Sequence, residues 1–236
     1  MENPVKFIGY VRREDIKFDV KMCETRKLPQ TVYESKKTEA MSSRIVKWLA
    51  EKEKTIVYFP YAQNAFDASR GVRGFAGIKT DPRIGVFTGK NVDELSTETF
   101  NEKKRETFEK FRTGEQSIMY ATKAFGMGVD IDDVQNVYHY AVSGNLCDYI
   151  QEIGRVARKP EMTGVAITDF FYNDMTYMNK LFGMSRIRQY QIKKVLEGIY
   201  DVYKSKKGAR SFLISPQSFT YIFNGKGVKD EGQCIN

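Results

Sequence analysis

Between residues 55 and 170 the chain alternates short apolar runs with longer stretches of helical periodicity, and this restricts its fold more than any other feature. The runs are 55–59 (TIVYF), 84–87, 117–121, 136–140 and 164–170. Each is rich in β-branched and aromatic residues and has the length of a buried strand. Helical patterns occupy 38–52, 62–70, 98–112 and 147–157. In 98–112, Phe100, Thr107, Phe108 and Phe111 share one side among charged neighbours, as an amphipathic helix requires. Strands alternating with helices imply right-handed crossovers and an α/β fold, a parallel sheet with helices on both faces. In such sheets chemistry collects at the loops beyond the carboxyl ends of the strands.

Ahead of this pattern, 16–22 reads as an edge strand, followed by a polar stretch at Lys36, Lys37 and Thr38. After Phe182 the pattern changes: 185–206 reads as one long basic helix, and 208–223 is rich in aromatics and hydroxyls. The expected organisation is a lead-in over 1–30, the α/β domain over 31–183 and a helical C-terminal extension over 184–236. The 236 residues are 41% hydrophobic, enough for a real core, and carry a net charge of +8 that points to a polyanionic partner. Cys23, Cys147 and Cys234 are far apart, which argues against a disulfide framework or a metal site and fits a reducing cytoplasm. The opening MENPVKF lacks an apolar core of signal-peptide length, and the rest of the chain contains no membrane-spanning run.

Two segments carry candidate chemistry. In 121–130 (ATKAFGMGVD), Thr122 ends a strand and runs into a turn containing Gly126 and Gly128. A hydroxyl and backbone N–H groups there can meet a phosphate oxygen. The same string also reads as a plain strand-to-turn, with glycines for positive φ and Asp130 as a local cap. In 149–158 (YIQEIGRVAR), a continuous helix would place Gln151, Arg155 and Arg158 on one face. That stripe is either a solvated basic surface or a phosphate-directed one, since the guanidinium fork matches phosphate geometry. The single histidine, His139, cannot form a triad or a metal cluster by itself and reads as structural; Tyr138 and Tyr140 beside it read as packing residues. In the tail, Phe212, Phe219, Tyr221 and Phe223 read either as base-stacking residues or as a small satellite core.

Together these segments resemble the signature motifs of the C-terminal motor lobe of superfamily 2 helicases, closest in wording to the RecQ-like group. The resemblance covers about residues 13–182 and implies a RecA-like lobe of the P-loop NTPase type. It implies that Arg158 is an arginine finger for phosphoryl transfer, Arg155 a second phosphate or interface contact, and Gln151 a sensor linking nucleotide to nucleic acid. It places Gly128 and Asp130 beside the nucleotide, and Thr122 and Lys123 on the nucleic-acid backbone. The strand ending in VYFP would open the nucleic-acid face at Pro60, with Asn64 in the next turn. Gly89 would lie in a further contact loop, where Phe87 and Thr88 replace the usual histidine. The cysteine-rich zinc module common after RecQ-type motors is missing.

No G-x-x-x-x-G-K-[ST] occurs; 85–90 (GVFTGK) is one residue short and Asn91 comes next. Nor does an Asp-Glu pair close an apolar strand to hold magnesium, and Asp132-Asp133 reads as a solvated turn. ATP and Mg²⁺ are therefore expected on a separate N-terminal RecA-like lobe, with single-stranded or duplex DNA, or RNA, as the further partner. The leading expectation is half of an ATP-dependent helicase or translocase. The competing one is a non-catalytic module of the same fold that docks nucleic acid or protein.

Overall fold

The structure, a computed structural model, describes residues 13–78, 80–126, 131–159, 161–184, 189–206, 215 and 219–223. The chain forms two compact units, Met1–Asn179 and Lys180–Asn236. In the first, β1 (Ile16–Glu24), β2 (Thr55–Tyr58), β3 (Ile84–Phe87), β4 (Ile118–Ala121), β5 (Asn136–His139) and β6 (Gly164–Phe171) build one sheet. Its order is β1-β6-β5-β2-β4-β3, and every pairing is parallel. Strand β1 is an edge strand, as the sequence implies, and pairs with β6 along its length. No helix is long and apolar enough to cross a membrane among the described residues.

The central strands β2, β4 and β5 are buried along their whole length, which is why they read as unbroken apolar runs. Register sorts their side chains into two cores. Ile56, Met119 and Val137 are paired neighbours on one face; Val57, Tyr120 and Tyr138 are neighbours on the other. The second face is covered by α1 (Gln30–Glu51) and α2 (Ala62–Arg70), through Met41, Ile45, Trp48, Ala65 and Ala68. The first is covered by α3 (Thr97–Thr113) and α4 (Leu146–Ile153), through Phe111 and Ile153. Helix α3 starts where the Ser96 side chain accepts the Thr99 N–H at 3.2 Å and stops at Gly114 with φ +85°.

Two boundaries differ from the sequence reading. Helix α1 starts at Gln30, so the polar stretch at 36–38 lies inside it, and Lys37 is fully buried. Its ammonium donates to the Asp174 carboxylate (2.7 Å) and the Asp169 carbonyl (2.6 Å). The Asp174 carboxylate also accepts from the Tyr33 hydroxyl (2.7 Å) and the Phe171 N–H (3.0 Å). A lysine so placed is core, because its charge is matched from β6 and the turn after it. The second difference is α4, which ends at Ile153 instead of running on to residue 157. There the backbone turns so that Val156 and Ala157 enter the core, with Ala157 at φ +55°. Val156 then fills the space over Gly164, where any Cβ would collide with it. Arg155 and Arg158 therefore sit in a turn and not on the helical stripe with Gln151. Asp132 is exposed, and Asp133 keeps its side chain 42% exposed while it accepts from Lys54 at 2.8 Å.

Helix α5 (Met175–Met184) comes after β6. In the second unit, α6 (Gln189–Ser205) falls within the stretch expected to be helical. It packs on the short α7 (Thr220–Phe223), with Gln191 donating to the Ile222 carbonyl at 3.2 Å and the Phe219 ring seated against Gly198. Phe219 is buried there and Tyr221 exposed; Phe212 lies outside the described residues, as does the side chain of Phe223.

Candidate functional site

Strands β2, β4 and β3 are adjacent, so the loops at their carboxyl ends share one edge of the sheet. After β2, the Phe59 N–H still bonds the Ala121 carbonyl at 2.8 Å, and the chain leaves the sheet at the half-buried Pro60. Asn64 lies in the first turn of α2 and turns its side-chain oxygen inward, where no donor meets it among the described residues. An unmatched buried acceptor costs about 1–3 kcal/mol, more than a residue serving only to solvate a helix would incur.

After β4, the Thr122 N–H donates to the Phe87 carbonyl at 3.3 Å and a 3₁₀ turn, Lys123–Gly126, begins. Phe125 anchors that turn in the core, edge-on to Phe87 and Phe111 at 5.0 and 6.0 Å. Thr122 is left half-buried and Lys123 exposed at the mouth. After β3, the buried Thr88 hydroxyl donates to the Lys90 carbonyl at 2.9 Å and closes a tight loop around the exposed Gly89. A Cβ on Gly89 would lie 2.9 Å from the Cβ of Ala124, so glycine is what lets these loops touch. Pro60, Gly89, Thr122 and Lys123, with Asn64 in the first turn of α2, thus gather beyond the ends of three adjacent strands. Gly128 and Asp130 lie outside the described residues.

Helix α4 joins this edge through its first turn. The Asn145 side chain accepts the Asp148 N–H at 2.9 Å. Asp148 in turn accepts from Asn145 Nδ2 and from Lys123 Nζ, both at 2.8 Å. At the other end of α4, Gln151 is exposed, Arg155 half-buried and Arg158 exposed. Between the two lies a group that sequence pattern alone does not single out. Glu152, on the inner face of α4, lies 3.0 Å from His139 Nε2 and accepts from the Ser143 hydroxyl. His139 is buried, as its structural reading implies, with Tyr58 stacked on one side and Tyr149 packed at a tilt. Burial pushes the Tyr58 hydroxyl well above the usual tyrosine range; Glu152 adds to the rise, and Arg155 and Arg158 oppose it. The available signal was an acid at 152 among Tyr149, Ile153 and Val156, where a carboxylate must find a partner.

A profile of the helicase conserved C-terminal domain matches residues 36–160, just over half of the chain. The ATP-dependent RNA helicase DBP2 of Encephalitozoon cuniculi is 33% identical over 101 residues, 43% of this chain and 20% of that protein. The ATP-dependent DNA helicase Q-like 5 of Arabidopsis thaliana is 33% identical over 94 residues, 39% of this chain and 10% of that protein. Dbp5 of S. cerevisiae, solved bound to RNA and ADP BeF3, shares the fold with a TM-score of 0.51 at 20% identity. That match covers 81% of this chain and 46% of the Dbp5 chain. The chain thus spans a fifth or less of the length of these two curated relatives.

Proposed function

The chain belongs to the helicase conserved C-terminal domain family of superfamily 2 helicases, and from that premise we propose that it works as the second motor lobe of an ATP-driven DNA helicase or translocase. The observation that carries this reading is the Lys123–Asp148 contact, which ties the loop at the strand ends to the helix that leads to the arginines. Grip on a nucleic-acid backbone and contact with a nucleotide then belong to one mechanical piece. Thr122, Lys123 and the loops at Pro60, Asn64 and Gly89 hold the phosphate backbone. Arg155 and Arg158 supply the donor set that suits a triphosphate, and Gln151 and the 128–130 segment complete the nucleotide side. Bound ATP supplies the phosphoryl group whose negative charge reorganises on transfer. No group of three or more His, Cys, Asp or Glu side chains is placed to hold a metal among the described residues. In this reading Mg²⁺ and the phosphate cradle belong to an N-terminal RecA-like lobe. The wording of residues 149–158 favours a RecQ-like relationship, and with it DNA over RNA.

The test is binding of this chain to oligo-dT and to oligo-U across a salt series. Affinity for single strands is expected to be weak, and its logarithm should fall linearly with the logarithm of salt, with a slope set by a few phosphates. Lys123→Ala should lower that slope by about one. Tighter binding to oligo-U would reassign the substrate to RNA, and salt-independent binding would replace the motor reading with an apolar docking role. The isolated chain should show no ATP turnover above buffer, because its sequence contains no phosphate-cradling P-loop. Turnover by the isolated chain would overturn the division of labour between lobes.

A further inference from the structure

We infer that Glu152, clamped by His139 and Ser143, is a positioning residue for the arginine turn, which rests on the reading of Arg155 and Arg158 as phosphate contacts. Both clamps converge on one carboxylate oxygen: Oε2 accepts the Ser143 hydroxyl and lies 3.0 Å from His139 Nε2. His139 has no freedom to swing. It is fully buried, with Tyr58 stacked at 5.6 Å and 20° and Tyr149 packed at 4.8 Å and 40°. Its Nδ1 finds no partner among the described residues, so Nε2 is the nitrogen that engages the protein, and it aims at Glu152. An apolar side chain would fill this place without desolvating a carboxylate. The acid earns its position through the arginine turn, which begins directly after it.

The Glu152 carbonyl accepts the Arg155 N–H at 3.2 Å, so the turn that delivers the first arginine springs from the residue whose side chain is clamped. Helix α4 leads straight into that turn. It ends at Gly154 with φ −65°, without the left-handed cap that closes the ends of α1, α2 and α3. Its Gly154 N–H bonds the Ile150 carbonyl at 2.9 Å, and the turn beyond continues through the Val156 N–H on the Ile153 carbonyl at 3.3 Å and the Ala157 N–H on the Val134 carbonyl at 3.2 Å. Pinning the inner face at Glu152 adds a side-chain tether at the start of the turn that carries Arg155 and Arg158, beside the anchoring of the buried Val156 and Ala157. Their shared influence with Glu152 on the buried Tyr58 hydroxyl is consistent with that placement.

The experiment measures kcat and KM for ATP in the protein carrying both lobes, with saturating nucleic acid and a parallel thermal melt. Glu152→Ala should lower kcat roughly 10- to 100-fold, the loss expected when charged groups move by about an ångström. KM should stay within about three-fold, because the affected contact matters in the transition state. Glu152→Gln should restore most of the rate, since its amide oxygen can take the place of Oε2; a role through charge would not be rescued. Added to Arg158→Ala, Glu152→Ala should cost little more, as expected for residues acting through one another. The inference is overturned if Glu152→Ala turns over within about three-fold of the parent. It is equally overturned if its loss multiplies in full on that of Arg158→Ala. If Arg158→Ala itself is harmless, the arginine reading fails first and is seen to do so separately. Should Glu152→Ala not fold, His139→Phe carries the same two outcomes, because it keeps the ring between the tyrosines and removes only the donor.

Discussion

In the protein that carries both lobes, Arg158→Ala is expected to lower ATP hydrolysis about 10³-fold or more while leaving ATP binding nearly unchanged. Arginines delivered across an interface are worth about 10³–10⁵ in rate in GTPases, and 10³ corresponds to about 4 kcal/mol of barrier. The asymmetry between binding and turnover arises because the guanidinium meets charge that develops only as the phosphoryl group transfers. Arg158→Lys should rescue little, since a point charge on a flexible stem does not reproduce the planar fork. The fold should survive. Arg158 is exposed, and its Nε donates to the Gly154 carbonyl at 3.4 Å, four residues back in the chain. The measurement is steady-state hydrolysis with saturating DNA, beside a melt of the same variant. Hydrolysis within about ten-fold of the parent, with an unchanged melt, would make Arg158 an ordinary surface charge.

The second large effect concerns stability and leaves the site alone. Asp174→Asn is expected to cost about 3–5 kcal/mol, the usual penalty for stranding a buried charge. It would leave Lys37 fully buried, holding only the Asp169 carbonyl and the rings of Tyr140 and Phe171, 5.2 and 5.1 Å away. Burial already pulls the Lys37 amine below the usual lysine range, and Asp174 is the strongest of the groups that oppose it. Replacing both partners, Lys37→Met with Asp174→Asn, should recover a large part of the loss, because no charge is then left unmatched. Urea unfolding monitored by tryptophan fluorescence measures this directly. Trp48 is the only tryptophan, lies buried in α1 about three turns beyond Lys37, and packs against Tyr138 at 5.7 Å. Equal stability of the single Asp174→Asn variant and the parent would show that the lysine is buried without need of its partner.

Strand and helix identity in the first unit was determined by local sequence. The runs at 55–59, 84–87, 117–121, 136–140 and 164–170 correspond to β2 to β6 with ends shifted by at most one residue. Helix α2 begins and ends where its periodicity does, at Ala62 and Arg70, because Gly71 supplies the left-handed cap. The order of the strands and the identity of the loops that share an edge were decided by tertiary structure, since hydrogen bonds between parallel strands join residues far apart in the chain. The same holds for Lys37. Next to Lys36 and Thr38 it reads as polar, and only a carboxylate 137 positions away makes it core. The end of α4 belongs to this class too: the helical pattern runs to residue 157, but burying Val156 over Gly164 outweighs continued helix. His139 was legible as a structural residue, and Glu152 carried no signal of its own in the pattern. Their meeting required β5 and α4 to be packed face to face, where a buried carboxylate is tolerated only with donors aimed at it.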